Sequence, residues 1–162
     1  MQDNIVPTFT APIDVTIFSD ASCNYDADVA FTGDVTDEDD NCTADPQATY
    51  SDATAPGSCE GEVIITRTWS LVDDCGNTAA DQVQTITVQD NIVPTFTVPV
   101  DITIFSDANC AYDADVVFTG DVTDEDDNCS TGLDATYSDA AAPGSCEGEV
   151  IITRTWSLVD DC

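Results

Sequence analysis

The sequence has no lysine and no histidine, and its only cations are Arg67 and Arg154, set against 33 acidic side chains and a net charge of −31. A surface of this sign repels nucleic acid and anionic membranes, which are gripped by lysine and arginine. No apolar run is long enough to span a bilayer, so membrane insertion is not expected. Helix-period patterns are missing as well. There is no signal-peptide pattern, and Met1 stands where the repeat described below has Val88; this reads as a segment of a longer secreted chain.

What is present in excess is charge and cysteine. High charge with few aromatics can mark disorder. Here the apolar residues alternate with polar ones, as in a folded chain, so the self-repulsion has to be offset by bound cations, salt or covalent staples. The eight cysteines are even in number, as a disulfide framework requires. There is no CxxC, no histidine, and the spacings are too wide for a zinc ribbon or finger. Disulfides and an oxidising, extracellular or cell-surface location follow as the expectation.

The segment QDNIVPTFTAPIDVTIFSD at Gln2 returns as QDNIVPTFTVPVDITIFSD at Gln89, and every cysteine recurs with the same offset of 87 residues (Cys23 and Cys110, Cys42 and Cys129, Cys59 and Cys146, Cys75 and Cys162). A period this long means whole domains in tandem, expected at 1–88 and 89–162. The second copy stops before a match to GNTAADQVQTITV at 76–88, so it lacks its last strand. Either the array continues or another chain supplies that strand.

Strand signals fall at 7–10, 14–18, 27–32, 48–51, 62–72 and 82–88, rich in Thr, Val and Ile and broken by Asp, Asn, Gly and Pro. About seven short strands per domain predict an all-β protein of tandem immunoglobulin-like β-sandwiches. On 62–72, Val63, Ile65, Arg67, Trp69 and Leu71 share a face. Trp69 is the natural core plug, and Arg67 is expected to reach the sandwich rim and pair with a carboxylate.

The stretch TRTWSLVDDCGNTAADQVQTITVQDNIVPTF resembles the HYR-like (hyalin-repeat-like) immunoglobulin-fold domains of secreted surface proteins and adhesins of Bacteroidetes. The matching features are the strand with Arg67, Thr68 and Trp69, the Asp74–Asn77 turn, the Gln84–Val88 strand, and Asp90, Asn91 and Pro94 of the linker. The resemblance covers both copies, although the second lacks the Gly-Asn and the strand after it. It implies domain type more than function, since such domains are mostly spacers.

The strand 62–72 spans roughly 36 Å at about 3.3 Å per residue, so Cys59 and Cys75, which flank it, lie at opposite ends and cannot bond to each other. In an immunoglobulin-type sandwich the strand at 27–32 runs in the same direction on the facing sheet. That pairs Cys23 with Cys59 and Cys42 with Cys75, and likewise Cys110 with Cys146 and Cys129 with Cys162. Cys23–Cys75 with Cys42–Cys59 remains the alternative.

The expected Cys42–Cys75 bond lays Asp37, Glu38, Asp39, Asp40 and Asn41 against Asp73 and Asp74, with Asp3 and Asn4 close by. The second set is Asp124, Glu125, Asp126, Asp127, Asn128, Asp160 and Asp161, with Asp90 and Asn91 of the linker. Oxygen-only donors at this charge density suit Ca²⁺, which takes six to eight oxygens, better than Mg²⁺ or a softer metal. A Ca²⁺ held by linker and domain oxygens would stiffen the joint between domains. The spacing is not an EF-hand: Cys42 stands where Gly is needed and Ala48 where Glu is needed. The competing reading is a solvated acidic loop with no specific ion. A second acidic group, Asp20, Asp26 and Asp28 with Asp107, Asp113 and Asp115, flanks Cys23 and Cys110.

Asn41-Cys42-Thr43 and Asn128-Cys129-Ser130 match a glycosylation sequon, at positions where a bridged cysteine would hinder modification. The Thr-rich alternations fit the outer face of a strand. Paired carboxylates can hydrolyse glycosides, but these stand in charged loops without histidine, and an enzyme is not expected. The reading is a structural module of an extracellular fibre or adhesin stalk. Its partners would be neighbouring repeats of the same chain or other copies of itself, and its adhesive target is unspecified. Two other classes stand beside it: a surface module binding glycan, ice or protein, and a filament subunit that polymerises by β-strand complementation.

Overall fold

The computed structural model describes residues 3–162; the expected first domain begins at Met1, which with Gln2 lies outside the described residues. The chain is mainly β and divides into two compact units, the residues up to Asn91 together with Cys162, and Ile92–Asp161.

In the first unit four strands, β1 (Val15–Phe18), β2 (Thr49–Pro56), β3 (Val63–Ser70) and β4 (Gln82–Gln89), form one sheet in the order β1-β4-β3-β2. β1 runs parallel to β4, with Val15 beside Ile86 and Phe18 beside Gln89. β3 is antiparallel to both β4 and β2. The alternation of β3 works as expected: Ile65, Arg67 and Trp69 are buried on one face. Leu71, just past the strand, joins Trp69, Phe9, Val35 and Ala79 in one core cluster, while Ile65 packs with Ile86 and Val88 in another. Burying a side chain of Val or Ile size contributes about 1.5–3 kcal/mol, so β4, which sets both Ile86 and Val88 inward, is a main source of the unit's cohesion.

β4 also pins the layer over the sheet through two glutamines. Gln84 Nε2 donates to the carbonyls of Ile13 (3.0 Å) and Thr32 (2.7 Å). Gln82 Nε2 donates to Phe9 O at 2.6 Å, and its Oε1 accepts from Ala11 N at 3.0 Å. The segment 7–10, expected as a strand, is tied by a single antiparallel bridge between Thr8 and Asp39.

One expected strand is a helical turn instead. Residues 27–32 hold α1 (Val29–Thr32). Asp28 caps it, its Oδ1 accepting from Ala30 N at 2.9 Å, and the Thr32 hydroxyl bonds back to Asp28 O at 3.1 Å. An Asp cap at the start outweighs the β-branched alternation that suggested a strand. Gly33 ends the turn at φ +97°, a conformation open to glycine, with Pro12 close enough that a Cβ would meet it at 3.1 Å.

That turn removes the premise of the cysteine pairing, which needed 27–32 to run alongside β3. Cys59 is bonded to Cys162, not to Cys23, and Cys162 is therefore not bonded to Cys129. The expected pairs Cys42–Cys75 and Cys110–Cys146 are not formed either; all four are free thiols. Cys23 and Cys129 are each half of a disulfide as well.

Arg67 is deeper than the rim position expected for it. Its guanidinium makes a two-point contact with Asp52, Nε to Oδ1 and Nη2 to Oδ2 both at 2.8 Å, donates to Thr32 Oγ1 and Ala27 O at 2.7 Å each, and lies 4.2 Å over the Tyr50 ring. The hydrogen bonds to Asp52 push its pKa above the ordinary arginine value, against the effect of burial. Asp52 faces Arg67 directly across the β2–β3 ladder.

The second unit, taken by itself, has β5 (Thr95–Thr97) paired with β6 (Thr123–Asp126), a helical turn α2 (Val116–Thr119), and a hairpin of β7 (Thr136–Pro143) with β8 (Val150–Ser157). Arg154 repeats the two-point contact, on Asp139, at 2.8 Å. Its side chain is 13% exposed against 1% for Arg67. Deleting a buried arginine leaves its hydrogen-bond acceptors, here the Thr32 hydroxyl and the Ala27 carbonyl, unpaired at about 1–3 kcal/mol each, and the loss shrinks where water reaches the group. Arg67→Ala is therefore expected to destabilise its unit by about 3 kcal/mol, and Arg154→Ala to cost clearly less, measured by urea unfolding of the two variants; equal losses would contradict this account.

Candidate metal centre

At one end of the first unit the loop before β2 meets the turn after β3. Asp40 Oδ2 accepts from the amides of Cys42 (2.9 Å) and Thr43 (2.7 Å), folding the loop back on itself. Thr43 Oγ1 accepts from Asp74 N at 3.0 Å, which joins loop to turn. Within the turn Asp73, which is buried, takes three hydrogen bonds: Cys75 N and Asn77 N to Oδ1 at 2.9 and 2.7 Å, and Asn77 Nδ2 to Oδ2 at 2.6 Å. From the N-terminal segment Asp3 Oδ1 accepts from Ile5 N at 3.1 Å and from Asn41 Nδ2 at 3.4 Å.

Oxygens of Asp3, Asp40 and Asp73 consequently lie within 4.8 Å of one another. Two oxygens that each sit about 2.4 Å from one Ca²⁺ are at most about 4.8 Å apart, so this spacing is compatible with a shared ion. Asp3 Oδ2 and Asp40 Oδ1 have no hydrogen-bond partner and no contact with solvent. An unpaired buried carboxylate oxygen is costly, and a hard cation bound between the three groups would satisfy both atoms.

The pKa values follow the hydrogen bonds. The amides of Thr43 and Cys42 hold Asp40 below the ordinary aspartate value. Burial pushes Asp73 up, but the side chain and amide of Asn77 and the amide of Cys75 outweigh it and leave it lowered. Both groups are thus kept in the ionised form a cation requires.

The other residues expected at this tip have separate roles. Asp37 Oδ1 accepts from Thr10 N at 2.8 Å, and the hydroxyl and amide of Thr10 lower its pKa. Glu38 Oε1 accepts from Ala48 N at 3.3 Å. Asp39 bridges Thr8 through its backbone. Asn4 and Asp74 are exposed. Asp90 accepts from Ser19 Oγ at 3.4 Å, and Asn91 is exposed. In the second unit Asp127 and Asp160 lie within 4.8 Å of each other, and Asp127 Oδ2 accepts from Cys129 N and Ser130 N at 2.9 and 2.8 Å. Glu125 bonds to Ala135 N, Asp124 to Thr123 Oγ1, and Asp126 O to Thr95 Oγ1. Asn128 Nδ2 contacts Cys129 Sγ at 3.2 Å, and Asp161 N lies 3.5 Å from Ser130 Oγ.

The second acidic group is turn chemistry. Asp20 Oδ1 accepts from Ser22 N and Asn24 N, Asp26 Oδ1 from Asp28 N, and Asp107 and Asp113 repeat the pattern. Thr43 and Asn77 are the tip residues that sequence reading passed over. Thr43 ends a sequon and Asn77 a turn motif, and neither signal says that the side chain clamps this junction. No family model, curated protein or solved structure matches this chain.

The tip also sets the reactivity of Cys42. Desolvation, then the charge and hydrogen bond of Asp3, then the charge of Asp40, raise its thiol pKa above the ordinary value. In chelator-treated protein, Cys42 is expected to need a pH above the usual thiol range of about 8.5 for half-maximal iodoacetamide labelling, and Asp3→Asn to move that midpoint downward. A midpoint indifferent to Asp3 would mean that Asp3 does not reach this tip in solution.

Proposed function

We propose that the chain is a structural module of an extracellular or cell-surface fibre or adhesin stalk, built of immunoglobulin-like domains of HYR-like type and stiffened by Ca²⁺ at their acidic tips. The observation that carries the reading is the pair of buried, unpartnered oxygens on Asp3 and Asp40 beside the buried Asp73. A merely solvated acidic loop would leave its oxygens in water. The 87-residue offset gives the equivalent set in the second copy as Asp90, Asp127 and Asp160. Two disulfides fit an oxidising compartment. No helix among the described residues is long and apolar enough to cross a membrane. The partners in this reading are neighbouring repeats or other copies of the chain, and the work is mechanical.

Binding to the native state alone raises stability by RT ln(1 + [Ca²⁺]/Kd). With the roughly 0.1–1 mM affinity of extracellular Ca²⁺ modules, 10 mM Ca²⁺ is expected to stabilise by about 1.4–2.7 kcal/mol over chelator-treated protein, a rise of several degrees in melting midpoint. Mg²⁺ at equal ionic strength is expected to do less. Asp3→Asn, Asp40→Asn and Asp127→Asn combined are expected to remove the Ca²⁺-specific part. A midpoint that responds to both ions equally would leave charge screening as the only effect and sink the proposal.

A further inference from the structure

The three aspartates at the tip of the first unit differ in what each oxygen has left to give. A carboxylate oxygen accepts about two hydrogen bonds, one per lone pair. Asp40 Oδ2 spends both on the amides of Cys42 and Thr43. Asp3 Oδ1 spends both on Ile5 N and Asn41 Nδ2. Asp73 Oδ1 is filled by the amides of Cys75 and Asn77, while Asp73 Oδ2 takes Asn77 Nδ2 alone. What stays open is Asp3 Oδ2 and Asp40 Oδ1, both without a partner and without solvent contact, and one lone pair of Oδ2 on Asp73, a residue only 6% exposed.

Resting on the cation site proposed above, we infer that the tip holds its ion through one oxygen of each aspartate, Asp3 Oδ2, Asp40 Oδ1 and Asp73 Oδ2, and leaves about half of the ion's coordination shell to water. Two-oxygen binding by any of the three would need an oxygen that is already filled. A hydrogen bond to a charged, enclosed acceptor would have to break, and such bonds are the strong ones. An EF-hand gains an extra oxygen from its bidentate Glu; here three carboxylates give three oxygens. Ca²⁺ takes six to eight, so about three to five positions remain. Water can reach them, because the chain neighbours of the three ligands, Asn4, Asn41, Cys42, Asp74 and Cys75, are all exposed. The ion would then have two unlike sides. Toward Asp3 Oδ2 and Asp40 Oδ1 it has to shed its water, since those oxygens touch none. That is a step Mg²⁺ takes reluctantly. On the other side it stays hydrated.

The probe is Tb³⁺, a luminescent ion that takes the same hard oxygen ligands as Ca²⁺. It is added below one equivalent to the Asp127→Asn chain, so that the first unit's site is the one loaded. Its luminescence lifetimes in light and heavy water count the water molecules bound to it, and about three or more are expected. Infrared difference spectra of the same chain, Ca²⁺-loaded minus chelator-treated, are expected to show the antisymmetric and symmetric carboxylate bands moving apart, as one-oxygen binding makes them do. Fewer than about three bound waters, or carboxylate bands that move together, would overturn the ligand assignment and leave the cation site standing. Tb³⁺ that fails to bind, or that Ca²⁺ does not displace, would overturn the site and the assignment together.

Discussion

With 33 acidic side chains and two arginines, this chain has almost no side-chain cations with which to hold its carboxylates, and the backbone amide takes their place. Asp20, Asp26, Asp28, Asp37, Glu38, Asp40 and Asp73 each accept from main-chain N–H groups, and Glu62 does the same from Ser58. A charged acceptor makes these bonds stronger than neutral ones. Six of these eight bend the chain around themselves, Asp37 and Glu38 tie distant segments together, and the loops are shaped by acids seeking donors. The two arginines are reserved for single points, Arg67 enclosed under Tyr50 and Arg154 half-buried under Tyr137.

Seen this way, the acidic tip does not need sulfur. The expected Cys42–Cys75 bond was to draw loop and turn together, and the two thiols are free. Loop and turn meet all the same, through Thr43 and Asp74 and through the amides around Asp40 and Asp73. One oxygen each on Asp3 and Asp40 is left buried without a hydrogen-bond partner.

Much of the sheet was legible in the sequence. β1, β3 and β4 fall within a residue or two of the alternating Val, Ile and Thr stretches that predicted them, and the inward face of β3 is the one read from its odd-numbered residues. The segment 27–32 was misread because its alternation fits a strand, while the competing signal, Asp28 before and Gly33 after, is short and local. The cysteine pairs inherited that error, since they rested on the direction of the missing strand. The carboxylate partner of Arg67 was foreseen, but its identity depends on the β2–β3 register, which spacing alone does not give. Asp3, Asp40 and Asp73 were legible as a neighbourhood; which of their oxygens stay free depends on amide geometry that no motif encodes.

The parallel contact of β1 with β4 has a mechanical corollary. These strands come from the beginning and the end of the first unit, and four residue pairs hold them side by side, Val15 with Ile86 through Phe18 with Gln89. Traction on the chain before β1 and after β4 pulls the two strands in opposite directions along their length. The hydrogen bonds between them are then loaded in shear and resist together, instead of peeling one after another as in a hairpin opened from its ends. A domain wired in this way yields late and abruptly under tension.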